Sequence, residues 1–461
     1  MKSHPFHRAA AAALLTLAVG AAQADAQDTQ TEAQRAGTET QRHKQETRAA
    51  ADAARLAAAG EGGVSYEQVM ADPDNLELNY RWANSQVRRG DLKGASATLE
   101  RVLLVDPDQY HVRLLYAIVL YRLDNIVEAR RELDELARQR PGDAEVAGYR
   151  AQAAKRSRKN HLSGRAGVGF QYDTNRNAAP GAGARLFGDA PVALPLSSQR
   201  RDDTSLLFLG NIDARRSVGS QEVFATVDYF RAEQTLVKTL NLQAYSVSAG
   251  AALHRAKDSL TPALVFDHVL LAQSTYLRSR GLDVRYEHAG AGGDVYLQAR
   301  EVFQDFVANA VVPVAPERTG VQFDATAGFD RVLTPTMRFG AGYTHGFKHA
   351  GKHYNAYQRD GLSLNHIWLV GGGTFLMSNA ALTYDRYDQP DTVLSSKFRR
   401  DTALRASATY GVPLSLLQDR LKDFLWTFSY EYYQALSSVQ NFAYTNNKVG
   451  TLLTYKWDLG F

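Results

Sequence analysis

Three histidines, His345, His349 and His353, recur every fourth residue in the stretch HGFKHAGKH. On a helix that spacing would align imidazoles for zinc or copper. Here the stretch leaves a strand and enters a glycine-containing loop, so no metal site is expected. A second set of chemically able side chains sits at alternate positions of extended segments: Asp283, Arg285, Glu287, Asp294, Arg300, Arg338, Glu431 and Lys456. Gathered on the inner face of a closed sheet, they would make a wet, charged lumen, either a conduit or a plugged channel. The same charges would also serve simply by pairing and keeping the bore soluble. A hydrolase on such a scaffold needs a nucleophile, a histidine and a carboxylate on neighbouring strands. No local motif suggests that arrangement or a nucleotide site, so neither enzyme activity nor a cofactor is expected.

The elements that must position these residues are clearest at the C-terminus. From Lys448 the chain reads KVGTLLTYKWDLGF. One parity carries Val449, Thr451, Leu453, Tyr455, Trp457, Leu459 and Phe461, and the other Lys448, Gly450, Leu452, Thr454, Lys456, Asp458 and Gly460. A period of two places alternate side chains on opposite faces of a strand. The segment before it repeats the pattern, with Phe424, Trp426, Phe428, Tyr430 and Tyr432 opposing Thr427, Ser429 and Glu431. Fourteen strands of this kind are expected between 162–172 and 447–461, although 259–270 and 373–387 alternate poorly. The connections after odd strands are long, at 173–202, 304–318, 348–357, 388–399 and 435–446, and most others are short, 413–423 excepted. That rhythm fits an up-and-down transmembrane barrel. A soluble β-sandwich, whose inner faces would also alternate, is the competing architecture. The run Tyr455, Trp457, Leu459, Phe461 resembles the terminal signal read by the barrel-assembly machinery of bacterial outer membranes.

The 461 residues leave room for more than a barrel. Cysteine is absent, which excludes disulfides and thiol chemistry; 53 basic and 49 acidic residues are scattered without a basic stripe, so no nucleic-acid partner is expected. No apolar run reaches the roughly 18 residues of a spanning helix, and the mean hydropathy of −0.35 is compatible with strands whose other face meets water. Residues 1–26 read as a secretory signal peptide, and 27–63, poor in large apolar side chains, as a flexible linker. Residues 64–160 read as a periplasmic helical domain. Pro73, Pro107 and Pro141 recur at 34 residues, the tetratricopeptide period, and bring Ala83 onto Ala117, Gly90 onto Asp124, Ala95 onto Ala129 and Leu99 onto Leu133. Two repeats are expected, 76–109 and 110–143, against the alternative of an unrelated bundle. Residues 161–461 form the barrel. The fold class is thus α + β and multidomain, a short tetratricopeptide α-solenoid followed by an antiparallel transmembrane barrel of about 14 strands.

This architecture resembles the surface lipoprotein assembly modulators, the outer-membrane translocators of type XI secretion. Tyr172-Asp173-Thr174-Asn175-Arg176-Asn177 is similar to that family's Tyr-Asp-Ser-Asn-x-Asn stretch at the end of strand one, with Thr174 in the Ser place. Tyr172, Asp173, Thr174, Asn175 and Asn177 are therefore its motif candidates. The end of the chain, with Asn446-Asn447-Lys448 opening the last strand, also looks like the family's, but it carries Phe442-Ala443-Tyr444-Thr445 where a more basic run is expected. The resemblance implies that the repeats capture a client in the periplasm, a lipoprotein or small secreted protein, and that the barrel delivers it to the cell surface. It further implies outer-membrane lipids, the barrel-assembly machinery and periplasmic chaperones as partners, and a monomer. An exopolysaccharide export porin with tetratricopeptide repeats is the alternative.

Overall fold

The computed structural model describes residues 75–156, 159–219, 221–290 and 292–460, together with Val69 and Asp72. The expected signal peptide and linker, Pro73 and Phe461 lie outside them. The chain forms two units, which are described separately.

The helical unit contains α1 (Leu76–Arg88), α2 (Leu92–Val105), α3 (Tyr110–Arg122), α4 (Ile126–Gln139) and α5 (Ala144–Arg156). Side chains cap α1 and α2: Asn75 Oδ1 accepts from the Leu78 N–H at 3.1 Å, and Asp91 Oδ1 from the Gly94 N–H at 2.9 Å. The matched alanines and leucines of the repeat are fully buried. Ala83, Ala95, Ala117 and Ala129 have no exposed surface, nor have Leu99 and Leu133. Methyl groups there let paired helices approach closely, and each leucine fills the space beside them. The turns match as well. Gly90 adopts φ 80° between α1 and α2, and Asp124 adopts φ 63° at the equivalent corner between α3 and α4, where a short polar side chain tolerates the left-handed region. After α4, the Asp143 carboxylate accepts from the Tyr110 hydroxyl at 2.6 Å and from two backbone N–H groups. Those bonds hold its pKa below the usual carboxylate range. Burial and the adjacent carboxylate push the Tyr110 phenol up to about 12.

In the second unit, β1 (Asn160–Asp173) is followed by a small hairpin, β2 (Ala184–Phe187) and β3 (Ala190–Ala193). Then come β4 (Asp203–Val218), β5 (Gln221–Gln234), β6 (Leu242–Arg255), β7 (Asp258–Leu271) and β8 (Ser274–Gly290). β9 (Gly293–Phe306), β10 (Gly320–Thr334), β11 (Met337–Lys348) and β12 (Tyr357–Gly371) continue the meander. The last are β13 (Thr374–Tyr387), β14 (Arg400–Pro413), β15 (Phe424–Ser437) and β16 (Tyr444–Gly460). Leaving out the hairpin, fourteen strands close into an antiparallel barrel in which β1 lies beside β16. Each is at least 12 residues long, more than the roughly 9–11 needed to cross a bilayer at a tilt. The exposed parity is apolar: Phe170, Phe266, Leu297, Leu362, Phe428 and Leu453 all face outward. Closure pairs the backbone groups of every strand, and the apolar skin is the surface a lipid interior requires.

The two poorly alternating segments are full strands, β7 and β13. Their pattern fails because the inner face is apolar too. On β7, Val269 and Leu271 pack beneath Val312 and Ala315 of the 307–319 loop; on β13, Phe375 and Met377 pack on Ile367. The sequence boundaries shift slightly elsewhere. Pro335 and Thr336 form a turn, so β11 begins at Met337 rather than 334, and β16 begins at Tyr444 rather than 447. The barrel has one end of short turns and one of long loops. Three connections at the loop end are nonetheless short: 235–241, 438–443, where a long loop over 435–446 is expected, and the two-residue turn Ala272-Gln273, where both residues take positive φ as a type I′ hairpin demands. The long turn 413–423 contains two 3-10 turns, Leu414–Leu416 and Asp419–Leu421.

Candidate functional site

Strand parity brings most of the predicted charges together on the inner wall. Asp283 on β8 lies in register with Arg300 on β9. The guanidinium sits 3.5 Å from that carboxylate and 3.8 Å from Asp267 on β7, while Gln298 donates to both Asp283 oxygens at 2.9 and 3.0 Å. Two residues along β8, Arg285 donates to Glu287 at 2.6 Å and lies over the Tyr296 ring at 3.9 Å. Arg338 on β11 approaches Asp294 at 4.0 Å. Glu431 belongs to a separate group across the bore, where it accepts from Lys448 at 2.8 Å and Arg405 at 3.4 Å. Lys456 stands apart near the turn end, exposed, with its backbone N–H bonded to the Asp423 carbonyl. The wall therefore carries two groups of opposed charges that hold one another in fixed positions. Asp267, Arg405, Lys448 and Tyr296 are further members of the wall, Lys448 on the polar parity already read from the last strand, and each lies on an inward parity.

The motif candidates converge at the loop end of the seam where β1 meets β16. Asn175 donates its backbone N–H to Asn446 Oδ1 at 2.9 Å and its side-chain amide to the carbonyls of Ala179 and Thr445 at 3.0 and 3.1 Å. Its own Oδ1 accepts from the Ala179 N–H. The Thr174 hydroxyl accepts from the Asn447 N–H at 2.9 Å, and the Thr174 N–H returns a bond to the Asn447 carbonyl. Asp173 Oδ1 accepts from the Asn175 N–H, and its other oxygen lies 3.7 Å from Arg176. Asn177 clips the following loop through the Gln199 carbonyl and the Arg201 N–H; Tyr172 reaches Asp202 on the exposed rim. These residues are a clasp on the barrel's closure.

At the other end of the seam, Trp457 lays its indole over Gly164 of β1, where a Cβ would collide with the ring. Tyr455 packs on Phe424 with centroids 5.0 Å apart, and Leu459 is exposed on the same outer parity. The histidines do not converge. His345 is on the outer face of β11 beside Asp360 at 2.9 Å, His349 rests against Phe347, and His353 opens a 3-10 turn.

The loops fold over the open end. Leu186 of β2 packs on Leu394, Val439 and Phe442, and its backbone is gripped in both directions by the Asn441 side chain. Asp189 at the hairpin tip accepts from the Ser395 hydroxyl and the Ser396 backbone N–H, which hold its carboxyl down at about 2. From the opposite side, Val312 and Ala315 pack down onto the inner wall at Leu271, Leu277 and Phe306. The result is a cap with its own apolar core.

Fold and site together define a protein with tetratricopeptide-like helical hairpins followed by a capped, charged-bore barrel. The tetratricopeptide repeat family matches residues 89–153. No curated protein matches the chain. Among solved structures, Pseudomonas aeruginosa OpdL is 11% identical, with 66% of this chain and 99% of its own aligned and a TM-score of 0.31. The outer membrane channel DcaP of Acinetobacter baumannii is 9% identical, with 65% of this chain and 98% of its own aligned and a TM-score of 0.35. The strand register, rather than these scores, defines the barrel.

Proposed function

We propose that the protein is an outer-membrane translocator, of the kind that serves type XI secretion, in which the helical repeats capture a client protein in the periplasm and the barrel delivers it to the cell surface. The client is a lipoprotein or a small secreted protein. The observation that carries this reading is the joining, in one chain, of a helical-repeat unit to a barrel with an apolar skin and a charged interior. Helical repeats are peptide- and protein-binding scaffolds, and nothing in ordinary solute diffusion through a barrel calls for one. In this reading the turn end faces the periplasm, the loop end faces outward, and the protein works as a monomer without catalysis. Chaperones and the assembly machinery act only while the barrel inserts. Deleting residues 64–160 tests it. The expected result is a barrel that still inserts, shown by a heat-dependent mobility shift, while surface display of a client lipoprotein produced in the same cells falls to background. Unchanged display would overturn the capture role.

A further inference from the structure

The outer wall of the barrel is apolar over most of its height, so charge that stands on it without a partner calls for a reason. At the loop end of β13 and β14 the outward parity carries two guanidinium groups side by side. Arg386 and Arg400 are direct cross-strand partners, which sets their Cβ atoms roughly 4.5–5.5 Å apart, and like charges so placed repel. Asp360 on β12 is the carboxylate that answers Arg386, at 3.0 Å. The same carboxylate accepts from the Tyr343 hydroxyl at 2.7 Å and lies 2.9 Å from the His345 ring. It is spent on the β11 side of the pair. Arg400 is exposed, and no described carboxylate pairs with it.

The ladder below the two arginines is apolar. Down the same strands the outward pairs are Tyr384 with Thr402, Leu382 with Leu404, and Ala380 with Ala406. Leu364 on β12 stands beside Ala380, and Tyr432 on β15 beside Ala406. Small side chains between larger ones leave a shallow trough in the skin beneath the charges. Arg386 also lies over the Tyr384 ring at 5.9 Å, the kind of aromatic that sits where a membrane meets water.

The chemistry of an occupant follows from the two halves. A guanidinium fork matches the oxygens of a phosphate, and one phosphate between two arginines replaces their repulsion with two attractions. Hydrocarbon fits the surface below. A molecule that brings both is a phosphorylated lipid, whereas a soluble phosphate gains nothing from the apolar half.

We propose that Arg386 and Arg400 form a docking site for the phosphorylated headgroup of a lipid in the leaflet beside the loop end, with an acyl chain lying against Leu382, Leu404 and the alanine trough. The site rests on the barrel's place in a membrane and not on capture of a client, so the result of its test and that of the capture role are independent.

The test is native mass spectrometry of the full chain in detergent, mixed with bisphosphorylated lipid A, with the same lipid stripped of its phosphates, or with inorganic phosphate. Retention of the phosphorylated lipid alone is expected. Arg400→Gln should weaken it about 10-fold, because hydrogen bonds between charged groups are lost, and Arg386→Gln should weaken it as well. Asp360→Asn removes the competing carboxylate and should tighten it. Arg216→Gln, the same change of charge on the outward parity at the turn end, should leave it as it is. All four positions are exposed or half-exposed, and the heat-dependent mobility shift confirms that each variant is folded. The proposal is overturned if the dephosphorylated lipid is held equally well, if inorganic phosphate displaces the lipid at an equal concentration, if both site variants bind as the wild type does, or if Arg216→Gln weakens binding as much as they do.

Discussion

Asn175 shows how much one side chain can decide. It is 2% exposed, and its amide satisfies backbone groups on two segments and is satisfied by them. Asn175→Ala leaves those carbonyls and N–H groups buried without partners, at a cost of about 1–3 kcal/mol. The expected reading is a lower midpoint in heat-induced loss of the compact electrophoretic form. Tyr172→Phe, which removes only a rim hydrogen bond, should leave the midpoint where it is. The sequence singled out this motif without its reason, because Asn175 and Asn446 are 271 residues apart and the register of closure is written in no local pattern. Parity is different. Alternation alone puts Asp283, Arg285, Glu287 and Arg300 on polar faces, yet it gives no means of telling that Arg300 is shared between Asp283 and Asp267.

At the scale of elements, the repeat and most strands were legible because each follows a simple periodicity. What escaped was the β2–β3 hairpin, four residues a side and too short for any period to register. The cap also explains the weakness of β7, since alternation disappears wherever a loop presses apolar side chains onto the inner wall. The Asp189 contact makes the cap sensitive to acid. Its carboxyl titrates below the ordinary value near 3.9, so its contribution is complete above that range and is lost as the pH falls through about 2. Pepsin should therefore begin to nick the 388–399 loop as pH approaches 2. Ser395→Ala, which removes one of the bonds that depress the carboxyl, should move the onset of nicking to higher pH. An onset unchanged by the substitution would mean that the loop is held by its apolar contacts alone.

For the barrel as a whole, loops that pack on one another over a charged inner wall predict low conductance. In planar bilayers the intact protein should show small, infrequent currents. Replacing residues 184–193 by a short Gly-Ser link removes the Leu186 and Asp189 contacts and should give larger, steadier ones. Equal conductance in the two would place the block elsewhere. The clasp on the seam has a different consequence, one for manufacture. A polypeptide cut short before Thr445 lacks every partner that Asn175 takes from the far end of the chain, and it also lacks the strand those partners occupy. Such a fragment presents a bare amide and an unzipped edge, so an unfinished product carries its own mark of incompleteness.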